Sequence, residues 1–274
     1  MIHSGTIASY RRIALPWACL VLSSCCSPRS CVSPESERVQ PDAGAETAEA
    51  WAQGCPPNMA RIEQFCVDRY EAFVVEVDPQ GRERPHSPYE VIAPGVTVRA
   101  KSAPNVVPQG YISQVQAAAA CTQAGKRLCA ADEFALACRG PDPSNWYPYG
   151  GQQRKPGLCN EGKTTHVAQF FGPDPSTWTA EDLNDPRLNQ WDGGLAATAS
   201  YPHCVSPFGI YDCVGNLHEW GSDRADESGH GRFRGGFYGD AESNLPGCLY
   251  VTSAHELGYH DYSTGFRCCR DAAQ

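Results

Sequence analysis

The sequence contains no cluster of Lys and Arg, and its 22 basic residues are outnumbered by 31 acidic ones, for a net charge of −9. A nucleic-acid partner needs basic side chains to displace counterions along the phosphates, so that class of function is excluded. Long apolar runs are also missing. The apolar stretch Ile13–Leu22 has ten residues and is interrupted by Pro16, whereas a membrane-spanning helix needs about 20. Neither a Walker phosphate loop nor a Ser-His-Asp arrangement is recognisable. No internal repeat is apparent and Gly follows no fixed period, which excludes collagen. What is present is 41% hydrophobic and 19% charged residues, a balance that excludes a wholly disordered chain. Gly (26) and Pro (22) together exceed the usual share of about 12% and predict a loop-rich globular domain. A length of 274 residues allows one large domain or two small ones. Fifteen cysteines point to an oxidising compartment.

The N-terminus points to the same compartment. Arg11 and Arg12 precede the Ile13–Leu22 run, as in the charged and apolar regions of a signal peptide. Leu22-Ser23-Ser24-Cys25 then resembles a bacterial lipobox. It implies cleavage before Cys25 and a thioether-linked diacylglycerol on that residue. Cys26 is the alternative acceptor, and an ordinary signal peptide cut near Ser24 is the other reading. Removing residues 1–24 takes away two Arg and no acid, so the mature charge is −11. Residues 25–54 are rich in Ser, Pro, Glu, Ala and Gln, with Val32, Val39 and Trp51 as the large apolar side chains. Such a segment cannot bury enough surface to offset its ordering entropy and reads as a disordered tether. The expected product is an extracytoplasmic, membrane-anchored lipoprotein carrying a folded domain over residues 55–274.

Within that domain, residues 59–75 are rich in aromatic and β-branched side chains and read as one or two strands. Six prolines between 78 and 110 predict loop with short strand pieces. Ser113 to Ala124 has a capping serine, an alanine run and Gly125 just beyond its end, which predicts a helix. Ala131 to Arg139 predicts a second helix that places Phe134, Ala137 and Cys138 on one face and stops at Gly140-Pro141. Residues 140–200 read as mostly irregular. Phe208 to Trp220 and Gly231 to Tyr238 read as short strands joined by tight turns, and Gly265 to Arg270 as a terminal strand. Two helices on short, loop-separated strands predict an α+β fold.

Five segments carry a resemblance in order along the chain. Gly125-Lys-Arg-Leu-Cys-Ala-Ala-Asp-Glu-Phe134 is similar to G-K-R-L-P-T-E-A-E-W, and Tyr147-Pro-Tyr-Gly150 to Y-P-W-G. Phe208-Gly-Ile-Tyr-Asp-Cys-Val-Gly-Asn-Leu-His-Glu-Trp220 is similar to F-G-L-Y-D-M-V-G-N-V-W-E-W. Arg234-Gly-Gly-Phe237 partly matches R-G-G-S-W, and Gly265-Phe-Arg-Cys268 matches G-F-R-C. This pattern resembles the formylglycine-generating enzyme, or sulfatase-modifying factor, superfamily. The resemblance implies a fold related to C-type lectins with little regular secondary structure. It also implies two disulfides, Cys121–Cys268 and Cys138–Cys248. Cys268 and Cys269 are neighbours on a predicted strand, so they face opposite sides and take different partners; Cys129 is the candidate for Cys269. The eleven domain cysteines are odd in number, which leaves at least one unpaired or bonded elsewhere.

The family's oxidase works through two nearby cysteines that bind copper and the substrate cysteine, shortly before the position matched by Cys248. Here Gly239 to Cys248 contains no such pair, and groups such as Glu242 and Ser243 do not replace thiolates at a soft Cu(I) site. The family's tryptophan near the substrate groove is His218 in this chain. Both departures argue against copper-dependent oxidation. His203, His218, His230, His255 and His260 read as water-exposed loop residues, because His255 and His260 lack the i, i+4 spacing of a zinc pair. The resemblance further implies structural Ca²⁺ held by Asp212 and Glu219 carboxylates with Gly215 and Leu217 carbonyls. A second site would use Asn160 and Asp185. The competing reading pairs Glu219 with an arginine such as Arg234 or Arg267. Two functions follow from the sequence: a catalytically divergent lipoprotein that binds a protein or carbohydrate ligand, or an active oxidase converting a substrate Cys to formylglycine.

Overall fold

The expected helix at 114 starts where its cap is strongest. In the computed structural model, which describes residues 54–273 apart from 226 and 228, α1 runs Gln114–Gln123 behind Ser113. Ser113 accepts from the Gln116 backbone at 3.3 Å, while the Gln116 side chain accepts from the Ser113 backbone at 3.1 Å. This reciprocal capping box satisfies two amide groups that the helix itself cannot. Ala117, Ala120 and Cys121 form its buried stripe. Helix α2, Ala131–Arg139, buries Phe134, Ala137 and Cys138, as the sequence predicted, and stops at Gly140, whose φ of +79° favours glycine.

Strands surround these helices in three small sheets. β1 (Met59–Ile62), β2 (Phe65–Asp68), β6 (Arg127–Leu128) and β11 (Cys268–Asp271) form one, in the order β1-β2-β11-β6. β3 (Ala72–Val77), β4 (Glu83–Pro85) and β5 (Val98–Ser102) form the second, with β3 central. The third has the order β10-β7-β8-β9, made of β7 (His218–Arg224), β8 (Gly231–Arg234), β9 (Val251–His255) and β10 (Thr264–Gly265). Antiparallel pairing dominates, with one parallel pair, β10 on β7. The architecture is α+β and loop-rich, as expected from the Gly and Pro content.

Several boundaries differ from the sequence reading. Residues 59–77 make three strands, because a turn at Glu63, with φ of +49°, breaks the run. Between 208 and 224 only residues 218–224 are a named strand; the preceding Gly-Asn segment turns instead. The terminal strand is split, and Phe266 and Arg267 lie between β10 and β11. The irregular region contains three short helices: α3 (Val167–Phe171), α4 (Ala180–Leu183) and α5 (Arg187–Gln190).

Disulfides tie the layers together. Cys121–Cys268 and Cys138–Cys248 form as the resemblance implied, and Cys129–Cys269 takes the adjacent thiol. On β11, Cys268 lies opposite Leu128 and Cys269 opposite Arg127, so the two neighbours reach different elements. Cys55–Cys66 and Cys159–Cys204 complete the set. Cys213 is the odd thiol, unpaired and buried. The expected signal peptide, Cys25 and tether lie outside the described residues.

Candidate functional site

The turn from Asp212 to Glu219 is built by backbone conformations that side chains rarely adopt. Asp212 and Asn216 have φ of +59° and +56°, and Gly215 has +79°. A Cβ on Gly215 would sit 2.1 Å from the Asn160 carbonyl oxygen, so the close approach of the two segments requires glycine here. Positive φ at non-glycine residues persists only where surrounding contacts fix it. Those contacts are polar and buried. The Asn216 backbone donates to the Asn160 carbonyl at 2.8 Å. Its side-chain oxygen accepts from Asn160 Nδ2 at 2.9 Å and from the Ala196 backbone at 3.0 Å.

Beneath the turn lies Glu71, fully buried just before β3. Its Oε1 accepts from the Leu217 backbone at 3.1 Å, and its Oε2 accepts a short bond from Asn216 Nδ2. Arg267, 1% exposed, fills the other side. Its Nε and Nη2 reach Glu219 Oε2 and Oε1, both at 2.6 Å. It also donates to the backbone oxygens of Asp68 at 3.0 Å and Tyr211 at 2.8 Å. Asp212 accepts from the Ala199 backbone at 2.7 Å.

The electrostatics are unbalanced. Glu71, Asp212 and Glu219 place three carboxyl groups around one guanidinium. Burial, reinforced by Asp212 and Glu219, raises Glu71 well above the usual carboxylate range. Burial pushes Asp212 up to about 6. Glu219 is raised by burial and held back by Arg267. Yet both Glu71 oxygens accept from N–H donors, which suits the ionised form.

This arrangement revises the calcium donors expected from sequence. Glu219 is committed to Arg267, the competing reading named for it. Glu71, which sequence reasoning missed, joins Asp212 as a carboxylate without a counter-ion. An acid inside an apolar, strand-forming run was the available signal, because a buried charge needs a partner. Asn160 Oδ1 is buried with no hydrogen-bond partner. The Asp185 carboxylate is spent on Arg187 at 2.6 Å, while Asn160 Nδ2 donates to Gly194 and Asn216. The structure therefore gives these two residues different partners. No group of three or more His, Cys, Asp or Glu among the described residues is arranged to hold a metal ion. Glu71 and Asp212 form no ion pair among the described residues, and the orphaned Asn160 amide oxygen belongs to a side chain in the same hydrogen-bonded cluster.

His218 corrects the exposed-loop reading. It lies on β7, 5% exposed, with its ring 4.7 Å from Phe233, 4.9 Å from Phe237 and 5.3 Å from Tyr250. Its Nδ1 has no partner, and burial lowers its pKa to about 3. His255 lies on β9, stacked 3.8 Å from Tyr259. In the 239–248 segment, Tyr147 donates to Glu242 at 2.9 Å, and Cys248 is bridged to Cys138. Cys213 is the one free thiol among the described residues, and burial raises it to about 12.

Residues 36–272 match the family model described as a sulfatase-modifying factor enzyme 1-like domain. The formylglycine-generating enzymes of Bos taurus and Mus musculus are each 32% identical over 114 residues, 41% of this chain. The chain spans 26% of the length of these relatives. Among solved structures, CarF is 17% identical with a TM-score of 0.45, covering 76% of this chain and 87% of CarF. The U1 variant of the Major Tropism Determinant is 12% identical with a TM-score of 0.44, covering 80% and 54%.

Proposed function

This chain belongs to the sulfatase-modifying factor enzyme 1-like family, and from that premise we propose that it is a catalytically divergent member, exported and lipid-anchored, that works as an interaction module. The observation that carries this reading is the thiol inventory. Ten described cysteines are bridged in five disulfides, and Cys213 is buried within a core cluster. Copper-dependent oxidation needs a thiolate pair, one of which exchanges for the substrate sulfur. A disulfide sulfur cannot ligate Cu(I) as a thiolate, and a thiol raised to about 12 is protonated at neutral pH. Five disulfides support an oxidising compartment, in keeping with the signal sequence and the lipobox-like Cys25. The same reading includes structural Ca²⁺, with Glu71 and Asp212 as its carboxylate donors and Glu219 left to Arg267.

The test mixes the purified protein with Cu(I) and a Cys-x-Pro-x-Arg peptide. The expected result is no aldehyde by mass and no Cu(I) retained against a strong chelator. Stoichiometric Cu(I) retention with aldehyde formation makes the oxidase the correct function.

A further inference from the structure

We propose that the aromatic and acidic face formed by α3, α5 and the turn after α5 docks an arginine- or lysine-bearing segment of a partner protein. This rests on the interaction-module reading and names its surface and the chemistry of its partner. Trp191 is the aromatic among the exposed large apolar side chains of the described residues, at 43%. It is nevertheless held in place. Its ring lies 5.1 Å from His166 and 5.6 Å from Phe170, the latter at an interplanar angle of 80°. Two rings thus order the indole, and little side-chain entropy remains to be lost on binding.

The same cluster already accommodates one cation. The Arg187 guanidinium sits 4.6 Å from the Phe170 ring centroid and 5.8 Å from that of Phe171, with Asp185 closing the ion pair at 2.6 Å. An aromatic face plus a carboxylate is the pair of groups that a guanidinium uses best, by stacking and by forked hydrogen bonding. Trp191 and Asp192 present the same pair side by side in the chain. Asp192 is exposed and has no ion-pair partner among the described residues. Indole is also the strongest of the aromatic cation acceptors.

Charge complementarity selects the occupant. From Asp174 to Asp192 there are five acids and one base, within a chain of net charge −9. That field draws cations and repels anionic ligands. A neutral saccharide could stack on the indole, but it would gain nothing from the excess of carboxylates.

The test uses the full chain and a fluorescent peptide with three arginines separated by glycines, read by anisotropy at low salt. The glutamate counterpart and a neutral chitotriose serve as the other probes. The arginine peptide is expected to bind, with affinity falling about tenfold in Trp191→Ala and less in Asp192→Asn. Trp191→Phe should recover most of the loss, and Asp78→Asn, at a half-buried carboxylate just after β3 that pairs with Arg82, should bind like the parent. Equal binding by Trp191→Ala, or preference for the glutamate peptide or chitotriose, overturns the proposal. Those outcomes leave the copper experiment untouched, and aldehyde formation would remove the interaction-module reading whatever the peptides do.

Discussion

A buried imidazole with an unpaired nitrogen costs stability, and His218 carries that cost at the centre of an aromatic cluster. Phe233, Phe237 and Tyr250 supply apolar contact, but none of the described residues accepts from or donates to Nδ1. Leaving a buried polar atom unmet costs about 1–3 kcal/mol, and filling the same space with carbon is neutral or better. His218→Phe is therefore expected to raise the urea midpoint at neutral pH without changing the slope. A fall of more than about 1 kcal/mol would mean that Nδ1 has a partner after all. That His218 stands at a family tryptophan position was legible in the sequence. Its burial was not, because a polar side chain on a short strand reads equally well as facing water. Glu71 escaped for the converse reason: its partners, Asn216 and the Leu217 amide, lie about 145 residues away, beyond any local pattern.

At the scale of elements, the legible features were those that carry their own chemistry. Helix α1 was readable from Ser113 and the alanine run, and its capping box formed as a local unit. Ser113→Ala removes the hydroxyl's bonds to the Gln116 backbone and side chain while leaving the residue 113 amide on Gln116 Oε1, and is expected to cost about 1 kcal/mol in chemical denaturation. A loss below a few tenths would show that the remaining Gln116 bonds, from the residue 113 amide and to the Ile92 carbonyl at 2.9 Å, hold this end without the hydroxyl. The segment before β7 reads as short strands joined by tight turns, and the turn prevails there: three positive φ angles at 212, 215 and 216 bend it past Glu71. Disulfides fared better, since α1 and β11 are joined across 147 residues by Cys121–Cys268. In the chain-entropy model, closing a loop that long contributes about 5 kcal/mol. Non-reducing peptide mapping should recover this bridge together with Cys129–Cys269, and a crossed pairing of these four cysteines would contradict the packing of β6 against β11.

For the whole molecule, the buried charges set a pH dependence with two opposing parts. Asp212 is raised from 3.8 to about 6 by burial, and Glu71 is raised well above 4.5. Between the unfolded and folded values the native state holds more protons than the unfolded chain. Stability therefore falls as pH rises through that window, from about 4 to 6 for Asp212, by on the order of 3 kcal/mol. His218 works in the opposite sense. Its folded value, about 3, lies below the ordinary 6.5, so the unfolded chain binds the extra proton and stability rises with pH between the two. In the parent protein these slopes partly cancel. His218→Phe removes the one large histidine contribution and leaves the lesser ones of His255 and His260, which burial also lowers; in chelator that variant should melt at lower temperature at pH 7 than at pH 5. In the proposed calcium site, Ca²⁺ on Glu71 and Asp212 would compete with their protons, so saturating Ca²⁺ should remove the decline and add about 2.7 kcal/mol at a hundredfold excess over Kd. Adding Glu71→Gln to His218→Phe should weaken both the Ca²⁺ response and the decline with pH. A melting temperature of His218→Phe that is flat from pH 5 to 7 and indifferent to Ca²⁺ would mean that Arg267 alone neutralises the cluster.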